Sequence, residues 1–235
     1  MNSSRTPEPA TDIPNSTASS SRLLGAASLA ALLVALAGFW SPWLTHPAAA
    51  LRLNGFDLAE WVTFLPGVRD GSLPLSRVAF RLPLACLALL LGVAAHADLR
   101  RSGWRSLLPG SPGGWGLWLL AGLCALLILP PYEVWRNREY WPEYQTQFLL
   151  AGVALAGVAL GGLAPRWATA WLQIFLAAAG AGCGAWALLT LRPAANELLN
   201  ATWSLGFGWV AMLAGFAGVA VTAAWPWVAR RKRAA

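Results

Sequence analysis

Six apolar runs separated by polar connectors constrain this chain more than any other feature of its sequence. A helix rising 1.5 Å per residue needs about 20 predominantly apolar residues to cross roughly 30 Å of hydrocarbon. The runs at 23–43, 78–97, 115–131, 147–164, 167–189 and 203–228 meet or approach that length, the third and fourth only by drawing in flanking residues. None alternates apolar and polar residues as a barrel strand does. Within lipid, each backbone amide must then be paired inside its own segment, which a helix achieves. The expected fold is all-α: a polytopic membrane protein built as a six-helix transmembrane bundle spanning 22–229.

Composition points the same way. The chain is 57% hydrophobic and 11% charged, against about 25% charged in an ordinary soluble domain, too few charges to cover a water-facing surface. It also holds 15 Trp, whose apolar ring and polar N–H suit the boundary between membrane and water.

The distribution of cations sets an expected orientation. With the N-terminus inside, the inner face holds Arg5, Arg22, Arg100, Arg101, Arg105, Arg166, Arg230, Arg231, Lys232 and Arg233 against Glu8, Asp12 and Asp98. The outer face holds Arg52, Arg69, Arg77, Arg81, Arg136, Arg138 and Arg192 against Asp57, Glu60, Asp70, Glu133, Glu139, Glu143 and Glu197. The net charge of +7 is then all cytoplasmic, as retention of Arg and Lys inside predicts, although Arg77 and Arg81 weaken the contrast. The expected setting is a bacterial inner (plasma) membrane with both termini cytoplasmic.

Residues 1–21 are polar, without apolar periodicity, and read as a disordered tail; residues 230–235 read as a basic tail. A cleavable signal peptide is an alternative for the first run, with Ala48-Ala49-Ala50 as the small-residue site. The length of that run and its ending in Trp40 and Trp43 favour an anchored span. Dispersed cations do not imply nucleic acid. Their expected partners are membrane lipids, through anionic headgroups, and another membrane protein is the further partner considered.

Inside the runs, chemistry is sparse. Cys86, Cys124 and Cys183 fit no metal or redox spacing and read as small hydrophobes. His46 and His96 lie near opposite faces and so cannot ligate one haem iron together. No metal or cofactor is expected. Ionisable groups in a bilayer are costly and usually functional, yet none sits at mid-span; Arg81 lies one turn inside the second run and can snorkel outward, and Gln173 is the amide well within the fifth. Gly157 with Gly161 and Gly180 with Gly184 share helix faces, and the sixth run carries Gly206, Gly208, Gly215 and Gly218. Such faces permit close helix approach, read first as packing within the chain and second as a surface for a partner helix. No internal repeat of the transporter kind is visible.

The first outer connector, 45–77, contains Leu58, Trp61, Val62 and Leu65 at helical spacing, with Asp57 and Glu60 in the first turn. The pattern predicts a short amphipathic helix on the outer membrane surface. Asp57 and Glu60, three residues apart, are candidates for sharing a proton or a cation; acidic residues placed at a helix start explain them without chemistry. In the second outer connector, 130–147, Tyr132, Trp135, Tyr140, Trp141 and Tyr144 interleave with Glu133, Arg136, Arg138, Glu139 and Glu143. That mixture suits either an aromatic belt or a binding surface. The two connectors together are expected to cap the bundle, and the candidate binding residues are Asp57, Glu60, Trp61, Trp135, Arg136 and Trp141.

Three classes of function fit these features. The first is a non-catalytic accessory or structural subunit acting through helix packing or its outer loops. The second is an uncoupled channel or transporter, and the third a membrane enzyme using outer-face carboxylates. No Walker loop, HExxH, GxSxG or paired CxxC motif favours catalysis.

Overall fold

The apolar runs fold as helices, and the connectors supply most of the remaining structure. The computed structural model describes residues 16–46, 51–97, 108–200 and 202–234 of the 235-residue chain. In chain order the elements are α1 (Ser16–Trp40), β1 (Leu44–His46), β2 (Leu51–Leu53), α2 (Gly55–Trp61), α3 (Pro66–Arg69) and α4 (Arg77–Ala95). They continue with α5 (Pro112–Leu126), α6 (Tyr132–Arg136), α7 (Trp141–Leu160), α8 (Arg166–Leu199), β3 (Ser204–Leu205) and α9 (Phe207–Ala234). The expected tail up to residue 15, the Ala48–Ala50 site and Arg100, Arg101 and Arg105 lie outside the described residues. Helix α1 begins within the expected tail, at Ser16, and α9 continues through the basic segment to Ala234.

Among the described residues, five helices are long and apolar enough to cross a membrane: Arg22–Trp40, Arg77–Ala95, Arg138–Leu163, Trp167–Leu198 and Phe207–Ala229. The expected count of six therefore becomes five plus α5, whose 15 residues reach only about 22 Å at helical rise. Prolines bound it at both ends. Pro112 opens the helix after the Ser111 hydroxyl accepts from Gly114 N–H, and a tightened turn through Leu129 meets Pro130 and Pro131, which have no N–H to carry the ladder onward.

Helix α4 is the axis. It is 78% buried inside the protein, where the other four candidate spans range from 22% to 39%, and it packs against α1, α5, α7 and α8. Its apolar residues face all ways, as a surrounded helix requires. Helix α9 closes the bundle by lying along α1 and touching α8.

Pro83 interrupts the α4 ladder, since without an N–H it leaves the Ala79 carbonyl without its helical partner. The Cys183 thiol of α8 donates to that oxygen at 3.4 Å, and Gly184 beside it lets α8 approach: an added Cβ there would lie 3.2 Å from Pro83 Cγ and 2.8 Å from Met212 Cε. One proline thus specifies the small and polar residues of its neighbour.

The glycine faces are occupied by this chain's own helices. A Cβ on Gly215 would stand 2.6 Å from the Ala31 carbonyl oxygen, one on Gly38 would stand 2.7 Å from the Gly208 oxygen, and one on Gly180 would stand 2.6 Å from Phe216 Cζ. Gly157 faces Leu89, and Gly161 faces the backbone of Gly92. Packing within the chain, the first of the two readings, accounts for these positions.

Two departures from the expected all-α cap concern the end of the bundle away from the chain termini. First, β1 pairs antiparallel with β2 (Leu44 opposite Leu53) and with β3 (Leu44 opposite Leu205), forming a three-stranded sheet in the order β2-β1-β3. It ties the first connector to the last, helped by Gly206 and Gly208, whose N–H groups donate to Trp43 O at 2.8 Å and Pro42 O at 3.0 Å. Segments of two or three residues are below the length at which apolar alternation is legible. Second, α2 forms as a capped helix, but Leu58, Val62 and Leu65 are buried within the protein and Trp61 is half-buried. The expected stripe faces inward, docked over the start of α4, because the bundle offers it apolar surface.

Candidate functional site

At the end of the bundle that holds α2, Glu60 gathers two cations of α4. Its Oε1 accepts from Arg81 Nη2 at 2.8 Å, and its Oε2 lies 3.3 Å from Arg77 Nε. Arg77 Nη2 also donates to Glu143 Oε1 at 2.9 Å, so the connectors 45–77 and 130–147 are joined through one guanidinium. Both cations rest on aromatic faces. Arg81 Cζ is 3.5 Å from the Phe56 ring centroid, and Arg77 Cζ is 4.0 Å from that of Tyr144, distances at which the ring quadrupole attracts a cation.

Arg81, which could have snorkelled outward, does not reach solvent. The residue is 2% exposed, and besides Glu60 it donates through Nη1 to the Leu127 carbonyl at 3.0 Å. Next to it Gln147, also buried, donates through Nε2 to Ile128 O at 2.7 Å. These carbonyls belong to the end of α5, where the helix has exhausted its own donors and its dipole is negative. A charge that would be costly alone is therefore placed where a carboxylate, a carbonyl and a ring face compensate it.

Asp57 and Glu60 do not form a pair. Asp57 completes a capping box: Asn54 Oδ1 accepts from Phe56 N at 2.8 Å and Asp57 N at 3.0 Å, while Asp57 Oδ2 accepts from Asn54 N at 3.3 Å. One acid starts the helix, and the other, one turn later, binds the arginines.

The remaining candidates form two aromatic groups. Trp61 meets the buried Trp203, ring centroids 5.8 Å apart, and His46 meets the same indole at 5.0 Å. Trp203 is fixed through its backbone, with N–H donating to Asn196 Oδ1 at 2.9 Å and the carbonyl accepting from Arg192 Nε at 3.2 Å. Across the cap, Trp135 and Trp141 both pack on Phe148, at 5.0 and 5.5 Å. Their indoles donate to Pro130 O at 3.4 Å and Val134 O at 3.1 Å. Arg136 is exposed, with Cζ 5.9 Å from the Tyr132 ring.

The six sequence candidates are therefore divided rather than convergent: Glu60 in the ion-pair lattice, Asp57 in a cap, Trp61 with Trp203, and Trp135, Arg136 and Trp141 on a separate rim. Among the described residues no cluster of three His, Cys, Asp or Glu side chains is placed to hold a metal ion. Sequence reasoning missed Arg77, Arg81 and Trp203 as members of the cap and left Glu143 and Tyr144, which it placed there, out of the candidate binding residues. The signal available was the four-residue spacing of Arg77 and Arg81, which puts both on one face of α4. Elsewhere on the first connector, the Ser72 backbone N–H and hydroxyl hold the Asp70 carboxyl below the usual carboxylate range.

The class these features define is a mostly helical membrane protein with an ion-paired cap where α2 docks on α4. Comparison with protein-family models, curated proteins and solved structures finds no match.

Proposed function

We propose that this chain is a non-catalytic accessory or structural membrane subunit that engages another membrane protein through its outer cap. The observation carrying this reading is the contrast between the cap's two parts. Its base is fixed by the Glu60, Arg77, Arg81 and Glu143 lattice, while its rim leaves Tyr132, Trp135, Arg136, Tyr140 and Trp141 exposed. Aromatic and Arg side chains on a rigid support lose little freedom on binding and dominate the energetics of interfaces. Gly38, Gly157, Gly161, Gly180, Gly184 and Gly215 are already met by this chain's own residues, and partner recognition is read at the rim. In this reading Asp57, Glu60 and Trp61 hold the platform, and Trp135, Arg136 and Trp141 make the contact.

The same reading sets both termini in the cytoplasm of a bacterium, in its inner membrane, from the Arg and Lys bias. Helix α5 serves as a sixth, short crossing, accommodated by local thinning and by the residues flanking it, and α2 sits at the outer boundary. Gentle purification of the tagged chain from its native membrane tests the proposal. A stoichiometric membrane partner is expected; Arg136→Glu should release it without lowering the melting temperature, and Trp135→Ala should release it with a small loss from the Phe148 contact. A lone chain in repeated preparations, or a partner indifferent to those changes, overturns it.

A further inference from the structure

Polar groups mark two levels across the side of the bundle built from α4, α5 and α7. At the cap end, Arg81 of α4 takes the Leu127 carbonyl of α5, and Gln147 of α7 takes the Ile128 carbonyl. At the far end, His96 Nδ1 lies 2.9 Å from Gly92 O, and a Cβ on Gly161 would stand 3.2 Å from the same oxygen. A Cβ on Gly114 would stand 2.5 Å from Ala95 O, and the Ser111 hydroxyl that accepts from Gly114 N–H starts α5 at that level. Between these levels all three helices are short. The helical rise gives about 22 Å from Arg81 to His96, about 24 Å from Ser111 to Leu127, and about 21 Å from Gln147 to Gly161, where α7 ends.

A second face is longer. Arg22–Trp40 of α1 covers about 27 Å and Phe207–Ala229 of α9 about 33 Å. Helices α1 and α9 lie along each other, whereas α5 and α7 touch each other and α4, so short and long helices are segregated. Against roughly 30 Å of hydrocarbon, the α1–α9 face fits and the α5–α7 face falls short by about 6–9 Å. Tilt worsens a shortfall, and the remaining remedies are long flanking side chains, association or a thinner bilayer. At the cap end the flanking groups are already committed, Arg81 to Glu60 and Leu127 and Gln147 to Ile128. Leu119 and Leu123 of α5 and Leu149 and Val153 of α7 are exposed, which leaves lipid to meet them. Resting on the reading of α5 as a crossing, we propose that the α5–α7 face gathers short-chain phospholipids and thins the bilayer on that side alone.

Site-specific quenching tests this. The full chain is placed in vesicles of equimolar dimyristoleoyl and dierucoyl phosphatidylcholine, the second having much the longer chains. A fluorophore is attached at Leu119→Cys, midway between Ser111 and Leu127, or at Val221→Cys on the exposed side of α9. Quenching is read with the longer lipid alone brominated and again with both brominated, and the unsubstituted chain treated alike supplies the background of Cys86, Cys124 and Cys183. Relative to full bromination, quenching by the longer lipid should be about half as strong at Leu119→Cys as at Val221→Cys. Val153→Cys on α7 should match Leu119→Cys, and it takes over the comparison should that variant misfold. Equal relative quenching on the two faces overturns the proposal and leaves α5 as a crossing. No quenching at Leu119→Cys with both lipids brominated removes α5 from contact with the hydrocarbon, and overturns the reading of α5 as a crossing as well.

Discussion

Removing the Glu60 carboxylate tests whether the cap is held by its charges. In Glu60→Ala, Arg81 keeps the Leu127 carbonyl and the Phe56 face but loses its one bond to an anion, at 2.8 Å. A charge-assisted hydrogen bond contributes about 1.5–3 kcal/mol. Arg77 loses a 3.3 Å contact but retains Glu143, which adds no more than about 1 kcal/mol because that side of the lattice is open to solvent. The expected destabilisation is about 1.5–4 kcal/mol. Glu143→Ala is the internal control. Glu143 is 58% exposed against 36% for Glu60, and its loss should cost less than about 1 kcal/mol. Both are measured by reversible unfolding in mixed micelles, followed by tryptophan fluorescence. The sign of the coupling is more telling than its size. Once Glu60 is gone, Arg81→Met removes an uncompensated buried charge while keeping most of the stem volume, so the double variant should be more stable than Glu60→Ala alone. Equal costs for the two glutamates, or additive losses in the double variant, would refute the account of Arg81 as a charge that depends on its partner.

Three further outcomes are expected. Gly215→Val should prevent stable packing of α1 on α9, since its Cβ meets Ala31 and Ala35 backbone, whereas Gly122→Ala, with open space around it, should be neutral or slightly stabilising; expression level and melting temperature in detergent distinguish them. Cys183→Ala should cost about 1 kcal/mol more in the native background than in Pro83→Ala, where the restored N–H at position 83 satisfies the Ala79 oxygen, and a double-mutant cycle reads this. Asp70 is held below its ordinary range by Ser72, so its turn is fully supported above the unfolded pKa and loses that support as pH falls through the lower, folded one; amide exchange at Ser72 should quicken only on strong acidification, and Asp70→Asn should remove that dependence.

The helices were legible because burial in lipid demands length and apolarity, and both are counted along the chain. Helix α5 is the exception: its run approaches span length only with flanking residues, and Pro130 and Pro131 withdraw donors where it would continue. The start of α2 was legible too, since Asn54 and Asp57 form a local device whose parts are adjacent in sequence. What escaped was long-range. Nothing local marks Glu143 as the partner of Arg77, or Gln147 and Arg81 as the residues that receive the end of α5. The strands escaped for a different reason: Ser204 and Leu205 become a strand only because Leu44 and Thr45 arrive beside them. The division of the candidate residues follows the same rule, for sequence supplies the type of side chain but not the direction in which it points.

The sheet imposes a schedule on biogenesis. Strand β1 leaves the ribosome soon after the first span, and β2 follows it at once, but β3 and Trp203 emerge only after the 34-residue α8. Until then β1 presents one open edge, and His46 and Trp61 await the indole they pack against. The cap is thus a late event, complete only when the final connector has been made and the first and last loops meet. A nascent chain stalled before residue 204 retains every buried helix but the last, together with an unsealed lid and an exposed strand edge, features by which a membrane protease can tell an unfinished molecule from a finished one.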